Sequence, residues 1–306
     1  TPILLLINLI LMILVFFPVI GSASESSTEA ARWIRLGPFS FQPSELLKLT
    51  FILYLASWLS SRTEKKSSFK NHREFGQNFI AFLIVLGIVA VLLFFQSHAS
   101  TLGIILIVSV IMYFSINTPL WHSILMILMG VGFLFFLIKL VPYRINRFLV
   151  FLNPDLDPMG IGYQIKQALI AVGSGGLGGI GLGMSAGMGT QKFGFLPQTI
   201  SDSIFAIFSE ETGFIGSVFL IFLFLIFLWR GFKIAKVARD KFSQLLSLGI
   251  ASWICLQGFT NIGAMIGILP LTGVPLPFIS YGGSALIVEL IGVGILLNIS
   301  REANKL

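Results

Sequence analysis

The sequence predicts an all-α fold, a polytopic bundle of transmembrane helices that forms a single membrane domain over residues 1–306. Of the 306 residues, 56% are hydrophobic and only 11% are charged, whereas about 25% of the residues of a soluble domain are charged. So few charges cannot cover a water-exposed surface. The apolar residues also fall in runs close to the ~20 residues that cross a bilayer. Eight spans are predicted, at about 2–21, 43–60, 77–96, 101–117, 120–142, 203–230, 244–268 and 283–299.

Positive charge orients these spans. The formal net charge of +7 lies in short loops between apolar spans, which indicates a membrane protein and not a partner of nucleic acid. The segments 61–76 and 230–241 and the C-terminal tail hold 12 of the 20 lysines and arginines. Because loops rich in these residues stay in the cytoplasm, we expect a cytoplasmic C-terminus. The chain starts at Thr1 without a basic n-region, which favours a truncated start over a signal peptide.

The opposite, extracytoplasmic face then receives the segments 22–42, 143–202 and 269–282. The segment 143–202 is far longer than a usual connection, and such long loops tend to be functional. The segment 269–282 has prolines and glycines within an apolar stretch, which predicts a broken or re-entrant backbone. Irregular backbone at membrane depth must be buried in protein or line a cavity. We therefore expect the active site in the 143–202 loop and a cavity among the last spans.

Two charged residues, Glu45 and Lys48, lie in the outer turns of the second span. They are three residues apart and share a helix face. Charge at this depth is unfavourable and usually faces the interior of the bundle or water. The residues alone leave two interpretations open, a structural ion pair and a site where Lys48 meets an anionic headgroup.

The long outer segment carries several groups that suit phosphate or acid–base chemistry. Arg147 offers a cation, and the glycine-rich run 173–183 could bring backbone amides to a phosphate. Tight packing remains the alternative for this run, which lacks the Gly-Lys-Ser/Thr of a nucleotide loop. Asp202 stands where the segment meets an apolar span, so it could cap the helix or act as a general base. Glu210 and Glu211 follow inside the span. The residues alone leave open whether they are functional acids or part of a network that packs the helix.

Several stretches of the sequence together resemble the SEDS proteins (shape, elongation, division and sporulation). They run in family order over most of the chain, and the two most specific are Pro-Phe-Ile-Ser-Tyr-Gly-Gly-Ser at the end and the stretch that holds Asp202. The stretches are 32–45, 162–164, 173–183, 195–205, 210–213 and 277–284.

The resemblance implies a ten-span glycosyltransferase that polymerises lipid II into glycan strands at the outer face of the bacterial cytoplasmic membrane. Two of the ten spans would precede Thr1. The implied partners are lipid II, the growing strand, membrane lipid and a class B penicillin-binding protein. Asp202 matches the essential aspartate of the family and is the predicted catalytic residue. The candidate substrate-binding residues are Gln42, Glu45, Lys48, Arg147, Ser174, Gly175, Gly176, Ser280, Gly282 and Gly283.

The sequence departs from the family pattern at two positions and leaves some questions open. Gln198 stands where the family commonly has Glu, and His98 stands where it has Asp. The match at 261–263 and 276–279 favours the division and sporulation branch, although the elongation branch shares much of it. A lipid II transporter and a scaffold that only activates a penicillin-binding protein remain alternatives. For a transporter, inverted repeats would be expected, and none is seen.

No cofactor is predicted firmly. His72, His98 and His122 are far apart in the sequence and do not form a metal-binding pattern. A divalent cation, Mg²⁺ or Mn²⁺, could assist a diphosphate leaving group.

Overall fold

The structure, a computed structural model, is helical over most of the residues it describes. Its helices broadly coincide with the predicted spans that fall on those residues, except that the first ends at Leu14, short of the predicted 2–21, and the helix at 244–268 ends at Met265. This confirms a membrane helix bundle. The described residues are 1–17, 21–22, 33–36, 39–64, 72–96, 98–116, 122, 124–125, 128, 130, 132, 142–183 and 201–303. The helices are α1 Pro2–Leu14, α2 Pro43–Glu64, α3 His72–Phe95, α4 Ala99–Phe114, α5 Pro142–Leu152, α6 Ile161–Ser174, α7 Ile204–Val237, α8 Lys241–Met265 and α9 Gly283–Ala303.

Within the described part of the chain, three helices are long and apolar enough to cross a membrane, namely α7, α8 and α9. Helices α1 and α4 are apolar but shorter, and so is the stretch of α3 from residue 79 to 95. The predicted span at 120–142 lies largely outside the described residues. Helix α7 runs seven residues further than the predicted 203–230 and contains a break at Gly213, where φ is 69° and ψ is −165°.

A small antiparallel sheet precedes α2, and the sequence did not predict it. Its strands are β1 Gly21–Ser22, β2 Trp33–Leu36 and β3 Phe39–Phe41, in the order β1-β2-β3. Ile34 pairs with Gly21 on one side and with Phe41 on the other, and its side chain is buried. The sheet therefore fixes the chain just before Gln42.

The chain forms two compact units. The first unit comprises Thr1–Met126, Leu228–Ile254 and Gly283–Leu306, and the second comprises Ile127–Phe227 and Cys255–Gly282. Each is described by itself below. The single membrane domain expected over 1–306 stays a prediction.

Helix α2 is the centre of the first unit, where it packs against α1, α4 and α9. Its residues Leu47, Phe51, Leu55 and Leu59 recur every fourth position and are all buried. Buried hydrogen bonds add to this apolar packing. Asn8 Nδ2 of α1 donates to Thr50 Oγ1 at 3.3 Å. Such bonds matter in a bilayer because lipid offers no replacement partner.

The second unit begins with two helices joined by capped turns. Asn153 accepts the N–H of Asp155 through its side chain and begins a 3-10 turn, Pro154–Leu156. The carboxylate of Asp157 accepts the N–H groups of Gly160 and Ile161 at 3.0 and 2.8 Å, which holds the start of α6. The predicted 143–202 loop is therefore helical over much of its described part. Residues 184–200 lie outside that part.

Candidate active site around Asp202

Asp202 lies in the turn just before α7 and is half-buried. The residues that follow it, Ser203, Phe205 and Ala206, are buried and begin the apolar part of the helix. Gln164 of α6 donates from Nε2 to Ser203 Oγ at 3.1 Å. The sequence thus brings a carboxylate to the border between a turn and an apolar helix, as predicted. Its catalytic role stays a prediction.

The main chain of Asp202 is held by a buried amide of α8. Asn261 is 1% exposed, and its Nδ2 donates to the carbonyl oxygens of Asp202 and Val274, each at 2.7 Å. Both bonds are short for N–H···O contacts. One side chain therefore ties the turn before α7 to the segment after α8.

That segment, residues 266–282, runs back along α8 and is called the re-entrant segment here. Gln257 donates from Nε2 to the carbonyl oxygen of Pro275 at 3.1 Å. Gln257 lies eight residues before the end of α8, which is about 12 Å along the helix axis. Val274, Leu276 and Pro277 are buried. The broken backbone predicted from the prolines and glycines of this segment is confirmed, and part of it is buried in protein, while Ile268 and Tyr281 are exposed.

Ser280 links the re-entrant segment to the residue before Asp202. Its hydroxyl donates to the carbonyl oxygen of Ser201 and accepts the N–H of Leu276 at 2.7 Å. These bonds give Ser280 a place in the framework of the site. The substrate-binding role predicted for Ser280 stays a prediction.

The carboxylate of Asp202 lies over a glycine of the re-entrant segment. A Cβ atom added to Gly273 would be 3.4 Å from Oδ2 of Asp202. The φ angle of Gly273 is 63°, in the region that favours glycine. Arg147 of α5 reaches the same segment, because its Nη1 donates to the carbonyl oxygen of Leu271 at 3.3 Å. The structure thus brings the predicted cation to a residue two positions from Gly273.

The glycine-rich run packs backbone to backbone against the break in α7. The N–H groups of Phe214 and Ile215 leave the helix and bond to the carbonyl oxygens of residues 176 and 177, at 2.9 and 3.2 Å. In exchange, the carbonyl oxygens of Glu210 and Glu211 accept the N–H groups of residues 180 and 181, at 3.0 and 3.1 Å. The run therefore replaces the helix bonds that the Gly213 break removes.

Three predicted substrate-binding residues lie at the start of this run. A Cβ added to Gly175 would stand 2.2 Å from the carbonyl oxygen of Ser209, so only glycine fits there. Gly176 is exposed, with a φ of 52°. Ser174 Oγ lies 3.4 Å from Oε1 of Glu210. These contacts are the tight packing that the sequence left as one alternative, and a phosphate-binding role stays a prediction.

Glu45 and Lys48 belong to the first unit, on the first turns of α2. Lys48 Nζ lies 2.8 Å from Glu45 Oε2, and the two residues are 1% and 3% exposed. Lys48 Nζ also lies 5.5 Å from the ring centroid of Trp253, within the range of a cation–π interaction. Lys48 lines a small apolar cavity with Phe51, Met112 and neighbouring side chains. The ion pair that the sequence left open is thus present.

The other candidates of the first unit lie next to the small sheet. The backbone N–H of Gln42 donates to Ser284 Oγ at 3.3 Å, and its Nε2 lies 2.9 Å from Nε2 of His98. His98 therefore contacts a predicted substrate-binding residue. Gly283 is exposed at the start of α9, and Gly282 of the second unit is half-buried. A binding role for Gln42, Gly282 and Gly283 stays a prediction.

The described residues contain no group of three or more His, Cys, Asp and Glu side chains that could hold a metal ion. His122, for example, stacks on Phe79 at a ring-centroid distance of 4.5 Å. Its Nδ1 lies 3.2 Å from the hydroxyl of Tyr113. A Mg²⁺ or Mn²⁺ requirement stays a prediction.

Reasoning from the sequence missed the amides of Gln257 and Asn261 as site residues. Their signal was present, because they stand four residues apart in an apolar span and so share one helix face. Polar side chains within a membrane helix are rare and face the protein interior. A pair of amides on one face of a membrane helix therefore predicts an irregular neighbouring segment whose backbone carbonyl groups accept hydrogen bonds from them.

These features define a polytopic helical membrane protein with a half-buried aspartate at a helix start, beside a re-entrant segment. Residues 1–305 match the FtsW/RodA/SpoVE family of cell cycle proteins. The chain belongs to this family, that of the SEDS proteins.

Relatives and solved structures agree with this assignment. The chain is 41% identical to stage V sporulation protein E of Bacillus subtilis, over 98% of this chain and 79% of the relative. It is 40% identical to the probable peptidoglycan glycosyltransferase FtsW of Geobacter sulfurreducens, over 96% and 75% of the two chains.

Two solved structures share the fold. A chain of a peptidoglycan synthase complex that coordinates polymerization and crosslinking matches with a TM-score of 0.77 and 28% identity, over 98% of this chain and 80% of that one. The rod shape determining protein RodA of Thermus thermophilus matches with a TM-score of 0.64 and 27% identity, over 98% and 77%.

Proposed function

We propose that this protein is a peptidoglycan glycosyltransferase that polymerises lipid II into glycan strands at the outer face of the bacterial cytoplasmic membrane, for division, sporulation or cell shape. Family membership and the names of its relatives support the reaction. The observation that carries the proposal is the position of Asp202, half-buried at the start of α7 and fixed by Asn261. A carboxylate at such a border is partly desolvated, which suits a general base.

In the proposed reaction, a hydroxyl of the acceptor sugar attacks the anomeric carbon of the donor strand. A glycosidic C–O bond forms, and the bond between the anomeric carbon and the lipid diphosphate breaks. The electron pair of the broken bond leaves with the diphosphate. Asp202 takes the proton of the attacking hydroxyl as attack proceeds.

The departing diphosphate needs positive charge or N–H donors as its own charge develops. In the second unit, Arg147 is the proposed cation, because it is half-buried and bonded to the segment that carries Gly273. In the first unit, Lys48 is proposed to bind an anionic headgroup, a role that requires it to leave or share its bond to Glu45. The further proposed substrate contacts are Gln42, Glu45, Ser174, Gly175, Gly176, Ser280, Gly282 and Gly283.

The proposed partners are lipid II, the growing strand, membrane lipid and a class B penicillin-binding protein. The similarity to a chain of a peptidoglycan synthase complex supports a transpeptidase partner. The lysines and arginines of segment 230–241 and of the C-terminal tail support a cytoplasmic C-terminus. A divalent cation is not assigned to the described residues, and no step is derived through one.

The test is polymerisation of lipid II by the full-length protein in complex with its transpeptidase partner. We expect Asp202→Asn to lower the rate at least about 100-fold, the usual contribution of a general base. Asp155→Asn is the matched control, since this exposed aspartate of the same segment pairs with Lys166 on the surface. We expect it to polymerise at the wild-type rate.

Wild-type polymerisation by Asp202→Asn would reject the catalytic assignment. Two further outcomes would change the function itself. Movement of lipid II headgroups across reconstituted vesicles without glycan would favour a transporter. If this chain makes no glycan but its transpeptidase partner is active only in the complex, a scaffold would be favoured.

A further inference from the structure

Asn261 satisfies two carbonyl groups with a single nitrogen atom. Its Nδ2 bonds the carbonyl oxygens of Asp202 and Val274, which lie 59 and 13 residues away along the chain. Among uncharged side chains of this size, only a primary amide carries two N–H donors on one atom. If the amide were flipped, Oδ1 of Asn261 would face the carbonyl oxygens of Asp202 and Val274. These two acceptors therefore also fix the orientation of the amide.

The other end of the same amide is less well satisfied. Oδ1 of Asn261 is buried, and among the described residues it has no hydrogen-bond partner. A buried acceptor without a partner is destabilising and calls for an explanation. Packing alone does not supply one, because an apolar side chain of the same volume would leave no such atom. The two hydrogen bonds that Nδ2 donates therefore explain why an amide side chain occupies this position.

These two bonds connect the main chain of Asp202 to the part of the re-entrant segment that lies next to its carboxylate. The amide of Asn261 binds the main chain of Asp202 on one side and Val274 on the other. Val274 is bonded to Gly273, and a Cβ at Gly273 would stand 3.4 Å from Oδ2 of Asp202. The main chain of Asp202 is thus tied through Asn261 to the same short stretch of the re-entrant segment that its carboxylate lies against.

We propose that Asn261 is a positioning residue that holds the carboxylate of Asp202 against Gly273 of the re-entrant segment. The inference rests on the proposed function, since it assumes that Asp202 reacts with substrate. Asn261 itself acts through Asp202. Removing its two donors leaves the bond from Ser280 to Ser201 between the re-entrant segment and the turn at 201–203, and lets the carboxylate move from its reactive position.

The experiment measures kcat and KM for lipid II polymerisation by the full-length complex. Asn261→Asp keeps the shape but removes the two N–H donors. We expect kcat to fall about 100-fold, as for a displacement of about 1 Å in a catalytic group. We expect KM to stay within about threefold, because ground-state binding is not the interaction that is lost. Asn298→Asp, at an exposed position of α9, is the matched control and keeps the wild-type kcat.

A double variant separates positioning from a general structural effect. If Asn261 acts through Asp202, Asn261→Asp adds no further loss to Asp202→Asn. An additional loss of similar size in the double variant overturns the proposal, and so does a wild-type kcat in Asn261→Asp. If Asn261→Asp does not fold, Asn261→Ser keeps one donor, and a wild-type kcat in that variant also overturns it.

The proposed function fails in a different way. Wild-type activity of Asp202→Asn rejects the catalytic base, whatever Asn261 does. An inactive Asp202→Asn beside a fully active Asn261→Asp rejects the positioning role alone.

Discussion

Glu45 in the first unit and Asp202 in the second are both acids at the start of an apolar helix, and the protein holds them differently. Glu45 is buried and bonded through its carboxylate to Lys48, one turn further along α2. Asp202 is half-buried, and the bond from Asn261 reaches its main-chain carbonyl. The local ion pair neutralises a buried charge, whereas the bond from Asn261 holds the main chain of Asp202 at the border of an apolar helix. The two acids therefore differ in burial and in the group that a neighbouring side chain is seen to bind, the carboxylate of Glu45 and the main-chain carbonyl of Asp202.

The largest expected effect breaks the ion pair of the first unit. Glu45→Gln leaves the buried Lys48 ammonium without its carboxylate. Removing one partner of a buried pair costs about 3–5 kcal/mol. We expect a lower apparent midpoint of thermal unfolding in detergent for Glu45→Gln and for Lys48→Met.

The double variant Glu45→Gln/Lys48→Met sharpens this prediction, because it leaves neither charge buried. We expect it to recover most of the lost stability. If the double variant also recovers polymerisation, the pair is structural. If its polymerisation activity stays low while its stability returns, Lys48 has the proposed role of binding a headgroup. Single variants as stable as the wild type would contradict the account of the pair.

A smaller effect is expected where the re-entrant segment meets Asp202. Gly273→Ala places a methyl group 3.4 Å from Oδ2 of Asp202, at a φ of 63°. The backbone conformation alone costs about 1–2 kcal/mol for a residue with a Cβ atom. We expect a modest loss of stability and a fall of about tenfold in kcat, because the strained backbone shifts the segment that lies in van der Waals contact with the catalytic carboxylate.

Gly183→Ala is the matched control for Gly273→Ala. Gly183 has a φ of 76°, and a Cβ there meets no heavy atom of the described residues within 4 Å. It therefore tests the same backbone strain away from the carboxylate. An equal loss of kcat in both variants would show that strain, and not contact with Asp202, lowers the rate.

Local patterns in the sequence predicted much of this molecule. Apolar runs predicted the membrane helices, and the spacing of Glu45 and Lys48 put both on one face of α2. The position of Asp202 at a helix start was also evident from its neighbours. Each of these signals lies within a few residues of the chain, so no knowledge of the fold was needed.

The remaining features depend on pairing between distant residues. Strand β1 has two residues, too few for a pattern, and it exists because Gly21 pairs with Ile34. The glycine-rich run was ambiguous because its partners are carbonyl groups of α7, more than 25 residues further along the chain. The bond from Asn261 to Asp202 spans 59 residues. Such partners follow from the fold, which the separate segments do not specify.

The smallest expected effect concerns a third acid, Asp240, which also precedes an apolar helix. Its carboxylate accepts the N–H of Ser243 at 2.9 Å and caps the start of α8. Burial raises the pKa of Asp240, but hydrogen bonds from Ser243 and from the backbone of Phe242 outweigh it and leave the pKa below its usual value. Asp240 thus shows the capping role that the sequence had left open for Asp202.

The pKa shift of Asp240 fixes the sign of its pH dependence. A carboxyl group whose pKa is lower in the folded state stabilises the protein above its unfolded pKa, and this contribution is lost as the pH falls through the folded pKa. We expect Asp240→Ala to cost about 1 kcal/mol at neutral pH. The gap in unfolding midpoint between the variant and the wild type should narrow below about pH 4. A gap that is independent of pH would mean that the charge of Asp240 contributes nothing, and that its shape alone caps α8.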